Sequence, residues 1–350
     1  MTAIECQSPS SVFRTNAWAQ AWLDTWGKYI ATDLIDLGGR NHALEMLYRT
    51  KHHFKRTIPS RTLCLVGIGC GPLSTPRSEY NDVSHLVQIA GGVGALAAEL
   101  NKLSWDQLYL PDIEKLSDSE REIATLSESQ QWGRYTSKSE NSYSIDNLDF
   151  EKYLTYLSTS TRLSFFNRRS RLHEQGRIER FRYALKDINT FFSLLNHFHI
   201  QRWGRPCYSY NSMKFLENFS ERLDSQGGET IFEVINVNGE PVSTLFDVIW
   251  DKRRYNFQTG YAQDYLRKIS LGSIHLGYAI EESLRENLRY DLLAGSGKKT
   301  DYKASISTNT TPLNSIIATR GYWKLIRSAQ DYIKSSNSLA FLSKKKGRKT

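Results

Sequence analysis

Apolar residues at 17, 18, 21, 22 and 26 in "AWAQAWLDTWGKYI" recur at helical spacing and predict an amphipathic, tryptophan-rich helix near the N-terminus. "LEMLYRT" and "TLCLVGIGC" then read as strands, 92–103 as a helix and "WDQLYLPDI" as a further strand. The stretch 127–147, "SESQQWGRYTSKSENSYSIDN", has few aliphatic residues and is expected to divide the chain and lie on the surface, outside both cores. After it come a basic stretch of helical character, Phe166 to Leu172, and a helix from Asp187 to Phe198. The next helix, "YNSMKFLENFSERLDSQG", stops at Gly227-Gly228.

The texture then changes. "ETIFEVINVNGEPVSTLFDVIWDKRRYNFQTGY" holds two strands around Asn238-Gly239, the strongest short-range hairpin signal, and a third after the Asp251-Lys252-Arg253 turn. "SLGSIHLGYAIEESLRENL" returns to helical spacing, with apolar residues at 271, 274, 276, 279, 280 and 284, and "RYDLLAG" is one more strand. The order helix, hairpin, strand, helix, strand therefore occupies one continuous block.

A chain of 350 residues can build two ordinary domains with cores. A mean hydropathy of −0.51 with 12% aromatic residues suits a soluble, cytoplasmic globular protein. No apolar run approaches the roughly 18–20 residues of a spanning helix, and "MTAIECQSPSSVF" lacks the basic-then-apolar pattern of a secretory signal. Cys6, Cys64, Cys70 and Cys207 form no C-x-x-C pair and have no histidine at ligand spacing, so buried thiols and no metal are expected. Charge is uneven: residues 1–160 carry 15 Lys/Arg against 19 Asp/Glu, the remainder 31 against 18. A basic second half suits a phosphorylated small ligand, a membrane surface or nucleic acid. The tail "KKKGRK" (344–349) reads as a solvated, flexible end that would meet the inner face of a membrane if it has a role.

Two glycine-rich stretches invite a nucleotide. In "LAGSGKKT", aligning Gly297-Lys298 with a Walker loop puts Leu292 at the first glycine and Lys299 at the Ser/Thr, and "TDYKASISTNTT" is too polar and β-branched for the helix that loop opens. It is not a Walker loop. Gly92-x-Gly94-x-x-Ala97, with Asp112 ending a strand 20 residues after Gly92, fits the dinucleotide fingerprint better, but no βαβ unit surrounds it. A nicotinamide-binding oxidoreductase is kept as an alternative.

The ordered motifs Arg202-Trp203, "NGEPVS", "RRYNFQTGY", Ser270-Leu271-Gly272, "YDLLAG" and Tyr302-Lys303 resemble the acyltransferase domain of the GNAT superfamily. The likeness is greatest to its two-domain branch of CelD-like (cellulose biosynthesis) and Fem-type transferases. "VFRTNAWAQAWLDTWG", "SEYNDV" (78–83) and "LSWDQLYLPDI" resemble the first domain of that branch. The likeness spans about residues 10–310, with departures: Leu271 stands for a proline, Asn287 for a glycine, Ile306 for an aromatic residue, and the pyrophosphate signature Q/R-x-x-G-x-G/A is absent.

The resemblance implies an α/β fold of two tandem GNAT-like lobes, with mixed sheets, at 1–160 and 161–330, followed by the basic tail 331–350. It implies N- or O-acyl transfer from acyl-CoA or a related donor to an amine or hydroxyl of a small molecule, saccharide or cell-envelope precursor. The Fem-type alternative takes an aminoacyl-tRNA donor. A helix N-terminus supplies free N–H groups for a pyrophosphate, so Ser270, Leu271, Gly272 and Ser273 are the expected donor cradle, with Gly260 and His275 beside it. Asp291 is the candidate base, Lys303 the candidate oxyanion partner, and Tyr261 a third catalytic candidate. Tyr80, Asp82, Arg202, Trp203, Tyr255 and Tyr302 are the expected acceptor contacts.

Overall fold

The computed structural model describes residues 11–329 except 31–32, 41, 55–56, 72, 147, 264, 266–268 and 296–300. Helix α1 (Asn16–Trp26) opens the chain, capped by Thr15 Oγ1, which accepts the Trp18 N–H at 3.2 Å. Strands β1 (Leu34–Asp36), β2 (Met46–Phe54) and β3 (Ile58–Leu65) follow, then α2 (Ser84–Ala90), α3 (Val93–Lys102), β4 (Gln107–Glu114), α4 (Asp118–Ser129) and β5 (Gly133–Ile145). Short helices α5 (Phe150–Tyr156), α6 (Thr159–Arg162) and α7 (Arg169–His173) lead to β6 (Ile178–Arg182), α8 (Ile188–Trp203) and α9 (Tyr210–Ser225). The chain continues through β7 (Glu229–Val237), β8 (Glu240–Trp250), β9 (Arg253–Tyr261), α10 (Leu271–Arg285), β10 (Arg289–Ala294), α11 (Asp301–Ile306) and β11 (Asn309–Thr319).

Turn chemistry places the strands as the sequence predicts. Asn238 and Gly239 take φ +54° and +85°, the paired left-handed conformation of a tight hairpin, and Asp251 and Lys252 repeat it at +47° and +58°. Asn287, standing where the family has glycine, also adopts φ +58°, which asparagine tolerates because its short amide can bond locally.

The chain forms two units, each a mixed α/β sheet with helices, but they are not the halves expected. The first takes the chain to Lys28, then Thr75–Glu79 and Glu140–Leu313; the second takes Tyr29–Ser74, Tyr80–Ser139 and the chain from Asn314. In the first, strands run β5-β10-β9-β8-β7-β6; in the second, β1-β2-β3-β4-β11. The N-terminal helix joins the first unit because its face is aromatic. Trp18 meets Phe215 and Phe219 of α9 edge-on at 4.7 and 5.1 Å between centroids. A second core there gathers Ile145, Tyr153, Phe165, Leu276, Ile280 and Leu292. In the second unit Leu63, Leu65, Leu96, Trp105, Leu108 and Ile123 form the core.

Three expectations are corrected. The polar 127–147 stretch is largely β5, whose middle is exposed while Ser142, Ser144 and Ile145 are buried, so serines on a ladder replaced the aliphatics the pattern required. Residues 301–306 do turn as a short helix. Gly91 and Gly92 separate two helices, α2 and α3, rather than following a strand, so the dinucleotide fingerprint lacks its βα turn.

Candidate functional site

Strands β9 and β10 run parallel but pair at only three positions, Arg253 with Arg289, Arg254 with Tyr290 and Tyr255 with Asp291. Beyond Tyr255, β9 continues to Tyr261 bonded only through its other edge, to β8. Beyond Asp291, β10 continues to Ala294 paired with β5. The facing edges part into a fork. At the parting, β10 bulges between Asp291 and Leu293, and Leu293 takes φ +58°, a conformation costing a non-glycine residue about 1–2 kcal/mol.

Three side chains hold that bulge, backed by two arginines. Asp291 Oδ1 accepts the Leu293 N–H at 2.8 Å, and Glu79 Oε2 accepts the Ala294 N–H at 2.7 Å. Lys303 Nζ donates to the carbonyls of Leu292, Leu293 and Ala294 at 2.7, 3.1 and 3.2 Å. The Arg253 guanidinium lies 3.7 Å from Asp291 Oδ2, while Arg77 lies 3.5 Å from Glu79 and 2.7 Å from Glu140. Burial pulls the Lys303 ammonium down, with Glu79 and Asp291 opposing it.

This corrects the roles expected of Asp291 and Lys303. Asp291 is fully buried and its carboxylate shapes the backbone; the three donors of Lys303 are spent on carbonyls. Both position the arm of the fork, and neither lines the pocket described next. Glu79 is the member that sequence reasoning missed. It is the residue before Tyr80 in the quoted "SEYNDV", so its signal was a buried acid beside residues already singled out.

At the outer end of β9 lies a pocket of about 530 Å³ lined by Arg202, Trp203, Arg205, Gln258, Gly260 and Tyr261, with His199 and Phe198 from α8. The structure thus brings together Arg202, Trp203, Gly260 and Tyr261 as expected, and adds His199, Arg205 and Gln258. The basic run "HFHIQRWGR" carried the signal for the additions. The Arg202 guanidinium lies over the Trp203 ring at 5.0 Å and the Tyr261 ring at 4.8 Å. Its Nε is buried and has no hydrogen-bond partner among the described residues. Tyr302 stacks on Phe165 at 6.3 Å, and its phenol is pushed up to about 12 by burial and by the nearby Tyr261, Arg202 opposing.

The remaining candidate residues have other partners. Ser270 caps α10, its Oγ accepting from the Ser273 N–H at 3.4 Å and hydroxyl at 2.9 Å. Leu271 is core. A Cβ on Gly272 would sit 2.6 Å from Tyr261 Cε1, so that glycine makes room for an aromatic ring. His275 is fully buried against Ser243 Oγ at 2.9 Å and Glu233 at 3.3 Å. Tyr255 is fully buried at the crotch of the fork. Asp82 accepts the N–H of Ser84, the first residue of α2, at 2.6 Å, and Tyr80 is a buried residue with φ +52°; both belong to the second unit and neither lines this pocket. Lys298, Lys299, Cys6 and the basic tail lie outside the described residues.

Comparison with known proteins agrees with this geometry. Residues 159–304, which contain the fork and the pocket, match the family model described as an acetyltransferase (GNAT) domain. The chain carries a GNAT-type acyltransferase domain in that stretch. No curated protein matches it. Among solved structures, FemX is similar at TM-score 0.54 and 10% identity, covering 91% of this chain and 98% of its own. A conserved protein of unknown function from Bacteroides thetaiotaomicron VPI-5482 is similar at TM-score 0.53 and 10% identity, covering 89% and 94%. Among the described residues, no helix is long and apolar enough to cross a membrane.

Proposed function

We propose that this chain moves an acyl group from a thioester donor of the acyl-CoA class, lodged in the β9/β10 fork, onto an amine or hydroxyl of an acceptor seated in the Arg202 pocket. The observation that carries the reading is the fork. Between Asn256 and Tyr261 the β9 edge facing β10 has no ladder partner among the described residues, so its backbone N–H and C=O groups are available to the amides of a pantetheine-like arm. The acceptor attacks the thioester carbonyl, and the oxyanion that builds there is met by N–H groups of the same edge. Collapse breaks the C–S bond, the departing thiolate takes a proton, and the acceptor's own proton leaves to solvent. Tyr302, whose phenol stays protonated throughout the neutral range, is the donor of that proton and regains one from solvent, which balances the proton lost by the acceptor. Arg202 and Arg205 select an acceptor bearing a phosphate or carboxylate, and the Trp203 face suits a flat or saccharide surface beside it.

The test is calorimetric titration with CoA and acetyl-CoA, followed by release of free thiol in the presence of phosphorylated amino sugars. Saturable CoA binding is expected. If neither CoA nor acetyl-CoA binds while an aminoacyl-tRNA does, the donor is of the Fem type and the CoA reading fails.

A further inference from the structure

We infer that the second unit holds a divalent transition metal of the zinc class between His42, Glu45 and His85, at a site separate from the acyl-transfer chemistry. Each residue presents one ligand atom, and the three lie within 4.8 Å of one another. Local structure sets them there. His42 precedes the single 3₁₀ turn Ala43–Glu45 without its side chain capping that turn, so His42 and Glu45 project together at i, i+3. His85 is the second residue of α2, and its ring centroid stands 6.4 Å from that of His42.

The carboxylate is the independent sign of a ligand. Glu45 is 5% exposed, and its Oε2 is buried with no hydrogen-bond partner among the described residues; the same holds for His42 Nδ1. Oε2 rests against Gly38, where a Cβ would come to 1.6 Å, so the backbone itself makes room for that oxygen. Only Oε1 is paired, with Arg40 at 3.1 Å, and the Arg40 side chain is 66% exposed. A buried carboxylate oxygen left unsatisfied is costly, and a solvent-screened arginine on the other oxygen does little to offset it. A cation among the three groups satisfies Glu45 Oε2 and His42 Nδ1 at once.

The donor set selects the ion. Two imidazoles and one carboxylate suit zinc and its neighbours, whereas calcium and magnesium ask for oxygen ligands. Bonds of about 2.1 Å at tetrahedral angles put ligand atoms about 3.4 Å apart. The observed spread closes to that by small rotations of two histidine rings and one carboxylate. The His42 side chain is 42% exposed, which leaves a path for entry and a fourth position for water. The clip would tie the turn before β2 to the first turn of α2, joining segments forty residues apart in the chain.

The test uses the full-length chain, stripped with EDTA and titrated with zinc by calorimetry, with cobalt substitution read by visible absorption. One ion per chain with submicromolar affinity, a raised melting temperature and the intense bands of four-coordinate cobalt are expected. His85→Ala and Glu45→Gln should each weaken binding at least 100-fold and abolish those bands. His197→Ala, an exposed histidine on α8, should change nothing. If Glu45→Gln fails to fold, His42→Ala carries the test, since that side chain is partly solvated. Arg40→Ala separates the two explanations of Glu45: tighter zinc binding supports the site, while a lower melting temperature with no change in zinc affinity overturns it. Millimolar binding, or binding that His85→Ala leaves intact, also overturns it.

Discussion

Two arginines of the first unit meet opposite fates. Arg254, in β9, is fully buried and ion-paired: its Nε lies 2.7 Å from Asp247 Oδ2, another nitrogen lies 3.2 Å from Glu282, and Tyr290 donates its hydroxyl to the same aspartate at 3.0 Å, while its Nη2 has no hydrogen-bond partner among the described residues. Arg202, at the end of α8, has aromatic rings above and below it and no carboxylate among the described residues. A guanidinium whose charge the protein already neutralises with carboxylates is architecture. One supplied only with π-faces keeps its hydrogen-bonding fork for a ligand, which is why the pocket around Arg202, and not the richer network around Arg254, is read as functional.

Breaking the ion-paired arginine should have the largest effect. Arg254→Met strands Asp247 in the interior with Asn256 and Tyr290 as its remaining donors, and a loss of about 3–5 kcal/mol in urea denaturation is expected. A loss below about 1 kcal/mol would mean that the network is not held by charge. Lys303→Met comes next. It removes a buried cation from three carbonyls and leaves Leu293 unsupported, so about 2–3 kcal/mol of stability and most of the turnover should disappear together. Loss of turnover with an unchanged melting temperature would instead return Lys303 to the chemistry.

Arg202→Met sharpens the contrast from the other side. The melting temperature should stay within about 1–2 °C of wild type, while affinity for inorganic phosphate, read by calorimetry, falls about tenfold to a hundredfold, the worth of one charge-assisted pair. Equal phosphate affinity in the variant would remove the pocket's anion preference. The smallest effect concerns pH. Burial lowers His275 below its usual 6.5, with Glu233 opposing, so the unfolded chain binds the extra proton first and stability falls as pH drops through about 6.5. Burial pushes Glu233 up, but His275 and Arg180 hold it well below its usual 4.5, so its contribution goes only at more acid pH. His275→Gln should cost about 1–2 kcal/mol at neutral pH and flatten the first of these two steps in a series of denaturant melts. An unchanged step would place its origin in another group.

The fold was largely legible in the pattern. Period and turn chemistry marked α1, α9, α10 and the β7–β8–β9 hairpins because each is dictated within a few residues: Asn238-Gly239 needs no distant partner to turn. The 127–147 stretch failed for the opposite reason. β5 takes its place from the strands it pairs with, and a ladder tolerates serines that no periodicity would nominate. The candidate site was half legible. Arg202 and Trp203, expected as acceptor contacts, share one pocket with Gly260, expected beside the donor, and Tyr261, expected as catalytic, whereas Gly272 packs against the Tyr261 ring and His275 against Ser243 and Glu233.

By itself, then, the sequence determined local matters: which residues turn, which helices present an apolar face, and the motif order that matches an acyltransferase domain over 159–304. Tertiary structure alone decided what each polar side chain faces. Asp291 and Lys303 look catalytic as letters, yet the bulge at Leu293 claims both, because a strained backbone and its unpaired carbonyls must be satisfied before anything is left for a substrate. The same accounting, run on Arg202 and on Glu45, leaves buried polar atoms over, and those remainders depend on distances between residues far apart in the chain, which no spacing along it records.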